Sequence, residues 1–197
     1  KRERSGRTEE TMVRGDRVSL FRYIHGVMDR ETVNDSDAAI EILAPAEQRA
    51  PLVFSSPHSG RDYPKDFLAA SKLDATAIRR SEDCFVDELF AHVPHLGAPL
   101  LKALFPRAFV DPNREPYELD PSMFSGPLPS FVNHRSPRVA AGLGTIARVV
   151  ANGAEIYSCK LDFDEAHARI EHYYRPYHDA LEDLITATRT RFSTCIL

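Results

Sequence analysis

The alternation of apolar and polar residues predicts three short, buried strands in the first half of the chain. Aliphatic or β-branched runs at residues 38–43 and 52–56 are bounded by prolines, which is typical of strands. A third apolar run, residues 100–105, predicts another strand, with residues 108–110 as its irregular extension. Because helical patterns lie between and after these runs, the order of elements predicts an α/β fold.

Helices are predicted where apolar residues recur at spacings of three and four. The first two cover residues 65–72 and 75–90. The apolar stripe of the second consists of Val86, Leu89, Phe90 and Val93. A longer helix, from about residue 164 to residue 190, keeps the helical period throughout. Its stripe consists of Ala166, Ile170, Tyr173, Tyr177, Leu181, Leu184 and Thr188. Pro176 lies inside this helix and predicts a kink, because proline lacks the backbone N–H.

The remaining segments have weaker patterns. Residues 111–137 are rich in proline and poor in periodic apolar positions, which predicts a long loop of the functional kind. Residues 139–150 fit a helix and a strand equally well. Residues 192–197 are predicted to form a strand.

The chain is expected to consist of a polar N-terminal arm, residues 1–36, and one α/β domain, residues 37–197. The predicted strand at 192–197 is followed by no turn or polar tail, and residue 1 is not Met. A natural domain rarely leaves a strand edge open in this way. We therefore expect the sequence to be part of a longer chain, cut before the C-terminal part of its domain.

Composition and charge narrow the class of protein. Of the 197 residues, 43% are hydrophobic and 27% are charged, which is ordinary globular usage. The net charge of −4 provides no basic surface for nucleic acid, and no apolar run is long enough for a membrane helix. The N-terminal residues do not lead into an apolar signal core. The three cysteines are widely spaced and do not suggest a disulfide framework or a Cys-type zinc site. We expect a cytoplasmic protein with no nucleic-acid or membrane partner.

The first candidate for chemistry is the sequence Ser-Ser-Pro-His-Ser-Gly at residues 55–60, directly after a predicted strand. The carboxyl ends of strands are where ligands bind in open α/β sheets. His58, beside a glycine that permits close backbone approach, suits a metal ligand or a general base. The alternative is a simple turn in which His58 bonds a backbone carbonyl.

The second candidate is Ser81-Glu82-Asp83, near the start of the predicted helix at 75–90. A carboxylate close to a strand-end histidine completes a mixed nitrogen and oxygen site that suits zinc. The alternative is helix capping, with Ser81 as the N-cap and the two acids favoured by the helix dipole.

The densest candidate lies in residues 106–116, which contain Arg107, Asp111, Asn113 and Arg114. The planar guanidinium of arginine binds a carboxylate through two hydrogen bonds, and asparagine adds an amide donor beside it. This loop is suited to an acidic amino-acid substrate. Equally, Asp111 could neutralise one of the arginines and hold the shape of the loop.

His178, within Arg-Pro-Tyr-His of the long helix, is the fourth candidate. It shares a largely apolar helical face, where a histidine is usually a hydrogen-bonded core residue. The neighbouring Pro176 favours an additional role, because a kink re-aims nearby side chains.

The order of these four motifs resembles the N-formylglutamate amidohydrolase family, over residues 52–197. The resemblance is most specific at residues 107–116 and 175–178. It implies a fold similar to zinc carboxypeptidases: a three-layer α/β/α sandwich with a mixed sheet and the metal at the strand ends. It also implies hydrolysis of N-formyl-L-glutamate to formate and L-glutamate, a reaction of histidine catabolism.

The resemblance also implies roles for individual residues. His58 and Asp83 would be zinc ligands, with Glu82 in place of Asp83 if the register slips by one. Arg107 would polarise the scissile carbonyl. The substrate carboxylate would be bound by Asn113 and Arg114, and His178 is assigned to the substrate-binding set.

The family's third ligand, a histidine in an Asp-x-His-Ser turn, and its glutamate base are expected beyond Leu197. The 197 residues alone are therefore expected to be inactive. Two alternatives remain: a hydrolase for another N-acyl amino acid, and a non-catalytic domain that binds acidic amino acids. A different divalent metal would also suit a site of histidine and carboxylate ligands.

Overall fold

The structure, a computed structural model, describes the backbone of residues 21–24 and all of residues 38–197. Most of the predicted N-terminal arm lies outside the described residues. The described part has an α/β fold, as predicted, with a small, open, mixed sheet and helices. None of its helices is both long enough and apolar enough to cross a membrane.

The described sheet has four strands in the order β1-β2-β4-β3. Their bounds are Phe21–Ile24 (β1), Ile40–Leu43 (β2), Phe54–Ser56 (β3) and Leu100–Ala103 (β4). The β1–β2 and β3–β4 pairs are parallel, and the β2–β4 pair is antiparallel. The predicted strands at 38–43, 52–56 and 100–105 are thus confirmed in shorter form. Residues 108–110 are not an extension of β4, because the chain turns there.

The two faces of the central strand pair differ in chemistry. Ile42 lies opposite Leu101, and both are buried in the main core together with apolar residues of the long helix. On the other face, Glu41 lies opposite Lys102, and their side chains form an ion pair of 2.8 Å. The alternation of apolar and charged residues therefore sets which face of the sheet packs against the core.

The first predicted helix is confirmed as α1 (Lys65–Ala70), but the predicted helix at 75–90 is wrong. That region contains a 3₁₀ turn (Ile78–Ser81), a single α-helical turn, α2 (Val86–Leu89), and another 3₁₀ turn (Val93–Leu96). Leu89 and Phe90 of the predicted stripe are 76% and 44% exposed and do not face a core, whereas Val93 is buried. A tertiary contact overrides the helical pattern: the Asp83 N–H donates to the His58 carbonyl at 3.0 Å. Phe85 then takes a left-handed conformation, with φ of 63°, that no continuous helix allows.

The long helix is confirmed, with an internal irregularity. It consists of α4, a π-helical turn and α5, and we use the name long helix for all three together. Their bounds are Phe163–Arg169 (α4, which follows the short helix α3 at Pro137–Ala140), Ile170–Tyr174 (the π turn) and Arg175–Phe192 (α5). The Arg175 N–H donates to the Ile170 carbonyl five residues back, so the wide turn comes directly before Pro176, whose missing N–H makes a regular helix unfavourable.

In two other segments the structure differs from what the sequence pattern predicts. In residues 139–150 the chain forms only the end of α3 (Pro137–Ala140), capped by Ser136, and then turns. The predicted strand at 192–197 is mostly wrong, because α5 continues to Phe192 and Ser193 ends it in a left-handed conformation. Only Ile196 pairs as a strand would, in a parallel bridge with Leu52.

Candidate active site

The candidate site forms where β3 and β4 end. Because these strands are parallel, their carboxyl ends meet at the same edge of the sheet. His58 follows β3 by two residues, and the segment from Arg107 to Asp111 follows β4. The topology therefore brings together two of the motifs that the sequence singled out.

Gly60 lets the two segments approach closely. A Cβ atom at residue 60 would lie 2.1 Å from the Phe105 carbonyl oxygen and 2.6 Å from the Leu104 carbonyl carbon. The backbone can pass over residues 104–105 only because glycine has no side chain. The Asp62 N–H then donates to the Leu104 carbonyl at 2.9 Å and fixes the crossing.

His58 is buried between two carboxylates. Its Nε2 lies 2.8 Å from Asp111 Oδ1, and its Nδ1 lies 3.3 Å from Asp83 Oδ2. An ionised Asp111 only accepts hydrogen bonds, so Nε2 carries the proton in the neutral ring. In that neutral form the Nδ1 lone pair faces the carboxylate of Asp83, whereas a protonated Nδ1 donates to it. Two facing acceptors of this kind suit a bound cation, and nitrogen plus carboxylate oxygen is a donor set that zinc accepts.

Asp83 is held in place through its backbone. Its N–H donates to the His58 carbonyl at 3.0 Å, and the Ser59 hydroxyl donates to its carbonyl at 2.9 Å. The same Ser59 oxygen accepts the N–H of Asp87 at 3.3 Å and lies 2.9 Å from the hydroxyl oxygen of Ser56. Because His58 and Ser59 bind the N–H and the carbonyl of Asp83, the backbone of Asp83 is fixed next to His58, and its side chain lies beside the ring.

Glu82, the alternative to Asp83, is engaged elsewhere. Its carboxylate accepts a hydrogen bond of 2.7 Å from the Tyr63 hydroxyl and pairs with Arg79 at 3.0 Å. Burial, and then the hydrogen bond to Glu82, raise the pKa of Tyr63. The geometry therefore brings Asp83, and not Glu82, beside His58.

Asp111 is the centre of the cluster. Besides His58, its carboxylate accepts from Arg107 at 2.9 Å and from the Asn113 N–H at 3.0 Å, and it lies 3.8 Å from Arg114 Nε. Burial alone would raise the pKa of Asp111, but the hydrogen bond from His58, the positive charge of a protonated His58, the charge of Arg107 and the N–H of Asn113 lower it to about 2. This carboxylate is therefore ionised at neutral pH and fixes the ring of His58.

The two arginines and Asn113 surround this centre. Arg107 bridges the carboxylates, since its NH1 also lies 3.7 Å from Asp83 Oδ1. Arg114 donates from Nε to the Leu143 carbonyl at 3.0 Å and from NH1 to the Asn113 carbonyl at 2.9 Å. Among the described residues, no hydrogen bond or ion pair involves Arg114 NH2 or the side-chain amide of Asn113. These two donors are available to a ligand.

Comparison with known proteins identifies the family. The family model of N-formylglutamate amidohydrolase matches residues 50–197. The chain belongs to this family. It is also similar to the crystal structure of N-formylglutamate amidohydrolase from Ralstonia eutropha JMP134, with 37% sequence identity and a TM-score of 0.74. That match covers 80% of this chain and 55% of the Ralstonia chain.

A second solved structure, the gene product Atu2144 from Agrobacterium tumefaciens, is 18% identical with a TM-score of 0.59, and shows the fold alone. The match covers 84% of this chain and 56% of that one. The present chain thus spans little more than half the length of either relative. A comparison of the sequence with curated proteins found no match.

In this member of the N-formylglutamate amidohydrolase family, His178 contacts the loop backbone. Its Nε2 lies 2.8 Å from the Pro112 carbonyl oxygen, and its ring packs against Tyr174 with the centroids 4.2 Å apart. Sequence reasoning placed His178 in the substrate-binding set. The structure puts it beneath the loop that carries Asn113 and Arg114.

Sequence reasoning missed the central position of Asp111 and the support from Ser59 and Tyr174. Asp111 had been considered only as a partner for an arginine, although its position in the motif that the family shares was a signal. Within residues 38–197, no group of three or more His, Cys, Asp or Glu side chains is placed to hold a metal ion. The third ligand expected beyond Leu197 stays a prediction.

Proposed function

We propose that the protein, in its complete form, is a zinc-dependent amidohydrolase that cleaves N-formyl-L-glutamate to formate and L-glutamate. The main observation that supports this proposal is that His58 Nδ1 and Asp83 Oδ2 face each other 3.3 Å apart, with Arg107 beside them. Family membership and the Ralstonia relative support the same reaction.

The residues present fit a zinc ion in part. His58 and Asp83 would hold it, together with the histidine expected beyond Leu197. When bound, zinc supplies polarisation of the formyl carbonyl and a lower pKa for a nearby water. Asp111 keeps the proton on His58 Nε2, so that Nδ1 is directed at the metal position. Such orienting partners are typically worth 10–100-fold in metal affinity or activity.

Arg107 is proposed to stabilise the negative charge that develops on the formyl oxygen. Its guanidinium is held by Asp111 at 2.9 Å, so no reorganisation is required when the charge develops. Each donor of this type contributes about 3 kcal/mol to stabilising the transition state.

Asn113 and Arg114 are proposed to bind the α-carboxylate of the substrate. The free NH2 of Arg114 and the side-chain amide of Asn113 are adjacent in the chain, and together they offer donors to both oxygens of a carboxylate. Arg114 is already fixed by two backbone carbonyls, which limits the entropy lost on binding.

The same proposal includes the layers of the fold, the substrate class, the cellular location and the metabolic role of the protein. The complete protein is proposed to form a three-layer α/β/α sandwich of the zinc-carboxypeptidase type, to act on a small N-acyl amino acid in the cytoplasm, and to serve histidine catabolism. The mixed sheet and the position of the site at its strand ends support this fold.

We expect the complete gene product to release formate from N-formyl-L-glutamate, and added zinc to increase the rate. His58→Ala removes a metal-binding nitrogen and should lower the rate more than about a hundredfold, because orienting partners alone are worth up to that much. Formate is measured by a coupled assay, with zinc content measured on the same samples.

His134→Ala is the matched control, since His134 is an exposed loop histidine that forms no hydrogen bond or ion pair with the described residues of the cluster. It should leave the rate within about twofold. Metal-loaded protein that releases no formate would contradict N-formyl-L-glutamate as the substrate. Binding of glutamate that survives both a chelator and His58→Ala would favour a non-catalytic, carboxylate-binding protein.

A further inference from the structure

Two side chains of the long helix hold the loop that carries Asn113 and Arg114. The Tyr174 hydroxyl donates to the Arg114 carbonyl at 2.7 Å, and His178 Nε2 lies 2.8 Å from the Pro112 carbonyl oxygen. A carbonyl can only accept, so Nε2 of His178 carries the proton. The two bonds fall on either side of Asn113.

The peptide group between Pro112 and Asn113 is fixed at both ends. Its carbonyl accepts from His178, and its N–H donates to Asp111 at 3.0 Å. The side chain of Asn113 nevertheless remains exposed. A rigid backbone that presents a free amide is what a carboxylate-binding position requires, because less freedom is lost when the ligand binds.

The two supporting side chains also fix each other. The rings of Tyr174 and His178 have centroids 4.2 Å apart and are tilted by 30°. Tyr174 is 9% exposed and is the last residue of the π turn. His178 lies four residues on, so both side chains project from the same side of the helix toward the loop.

We propose that Tyr174 and His178 are positioning residues for the carboxylate-binding loop, residues 111–114. This proposal rests on the proposed function for the roles of Asn113 and Arg114. It assigns His178 to the support of the loop, not to direct contact with the substrate. Substrate affinity is therefore set in part by side chains that do not touch the substrate.

The test uses the complete gene product with Tyr174→Phe and His178→Leu, which remove one donor each while keeping the size of the side chain. Each lost bond should weaken L-glutamate binding and raise KM about fivefold, with kcat changed less than twofold. His178→Gln retains a donor near the position of Nε2 and should restore most of the loss. Calorimetry and steady-state kinetics give these values.

Two matched controls are available in the chain. Tyr157→Phe removes a hydroxyl that bonds Arg169 at 2.7 Å, and His172→Leu removes a ring that bonds the Ala168 carbonyl of its own helix at 2.7 Å. Neither group forms a hydrogen bond or ring contact with residues 111–114. Both variants should leave KM and the affinity for L-glutamate within about twofold.

Amide hydrogen exchange separates this proposal from the proposed function. Exchange across residues 111–116 should accelerate about fivefold in Tyr174→Phe and His178→Leu, and should not change in the controls. Unchanged exchange in the loop would overturn the positioning role whatever the activity. A loosened loop with unchanged KM and glutamate affinity would overturn its link to binding. Failure of the unmodified protein to bind glutamate or release formate would instead contradict the proposed function.

Discussion

Gly60→Ala is expected to destabilise the protein by about 3 kcal/mol or more, and in a marginally stable domain to prevent folding. The new Cβ would lie 2.1 Å from the Phe105 carbonyl oxygen, and that neighbour is backbone. A backbone atom cannot rotate away as a side chain would. The turn after β3 would have to separate from the end of β4, where His58 meets Asp111. Urea unfolding followed by circular dichroism measures the effect.

Gly126→Ala is the control for this substitution. Among the described residues, no heavy atom lies within 4 Å of the position that a Cβ at residue 126 would take, and Gly126 does not have a positive φ. Its free energy of unfolding should change by less than about 0.5 kcal/mol. A Gly60→Ala protein with stability within 1 kcal/mol of the unmodified chain would show that the crossing of the two segments is not as close as described.

Asp111→Asn is expected to cost about 3 kcal/mol of stability at pH 7 and to lower formate release by up to about a hundredfold. The substitution leaves Arg107 and Arg114 without the carboxylate that lies between them, and the Arg114 side chain is only 11% exposed. It also removes the charge that holds the ring of His58. Urea unfolding and the formate assay test the two effects separately.

The stability lost in Asp111→Asn should depend on pH. The pKa of Asp111 is about 2 in the folded protein, compared with about 3.9 for an unfolded aspartate. Ionisation therefore favours the folded state, and this contribution, about 2 to 3 kcal/mol, is complete above about pH 5 and is lost as the pH falls through 4 toward 2. In metal-free protein, the difference between Asp111→Asn and the unmodified chain should narrow steadily from pH 5 to pH 3.

Asp183→Asn serves as the control, because Asp183 is exposed on the long helix. Its stability should match that of the unmodified chain at each pH to within about 0.5 kcal/mol. An Asp111→Asn protein with a constant deficit from pH 5 to pH 3 would contradict the ionised, hydrogen-bonded state that we assign to Asp111.

The elements that sequence reasoning predicted are those with a strong local pattern. The long helix was found because its apolar residues keep the helical period, and β2 and β4 were found because their apolar runs are bounded clearly. The helix predicted at 75–90 is wrong because contacts distant in sequence outweigh its local pattern. Its spacing is helical, but the hydrogen bonds of Asp83 with His58 and Ser59 come from residues 24 or more positions away, and no local pattern reports them.

In the candidate site, too, the residues could be predicted from the sequence, but their arrangement could not. His58, Asp83, Arg107, Asn113 and Arg114 were identified from the order of their motifs, and the fold brings all five together. The arrangement within the cluster required distances. Whether Asp83 or Glu82 lies beside His58 depends on the partners Tyr63 and Arg79 that engage Glu82, and nothing in the residue types alone decides it.

The π turn adds a constraint on chain length. It places one extra residue in the long helix, and one residue corresponds to about 100° of rotation. Deleting a residue from Ile170–Tyr174 would turn α5 by that angle relative to α4, so that the faces now directed at the core and at the loop could not both stay in place. Exposed positions such as His172 therefore tolerate a change of side chain far better than the loss of a residue, and insertions or deletions should be excluded from this stretch in functional relatives.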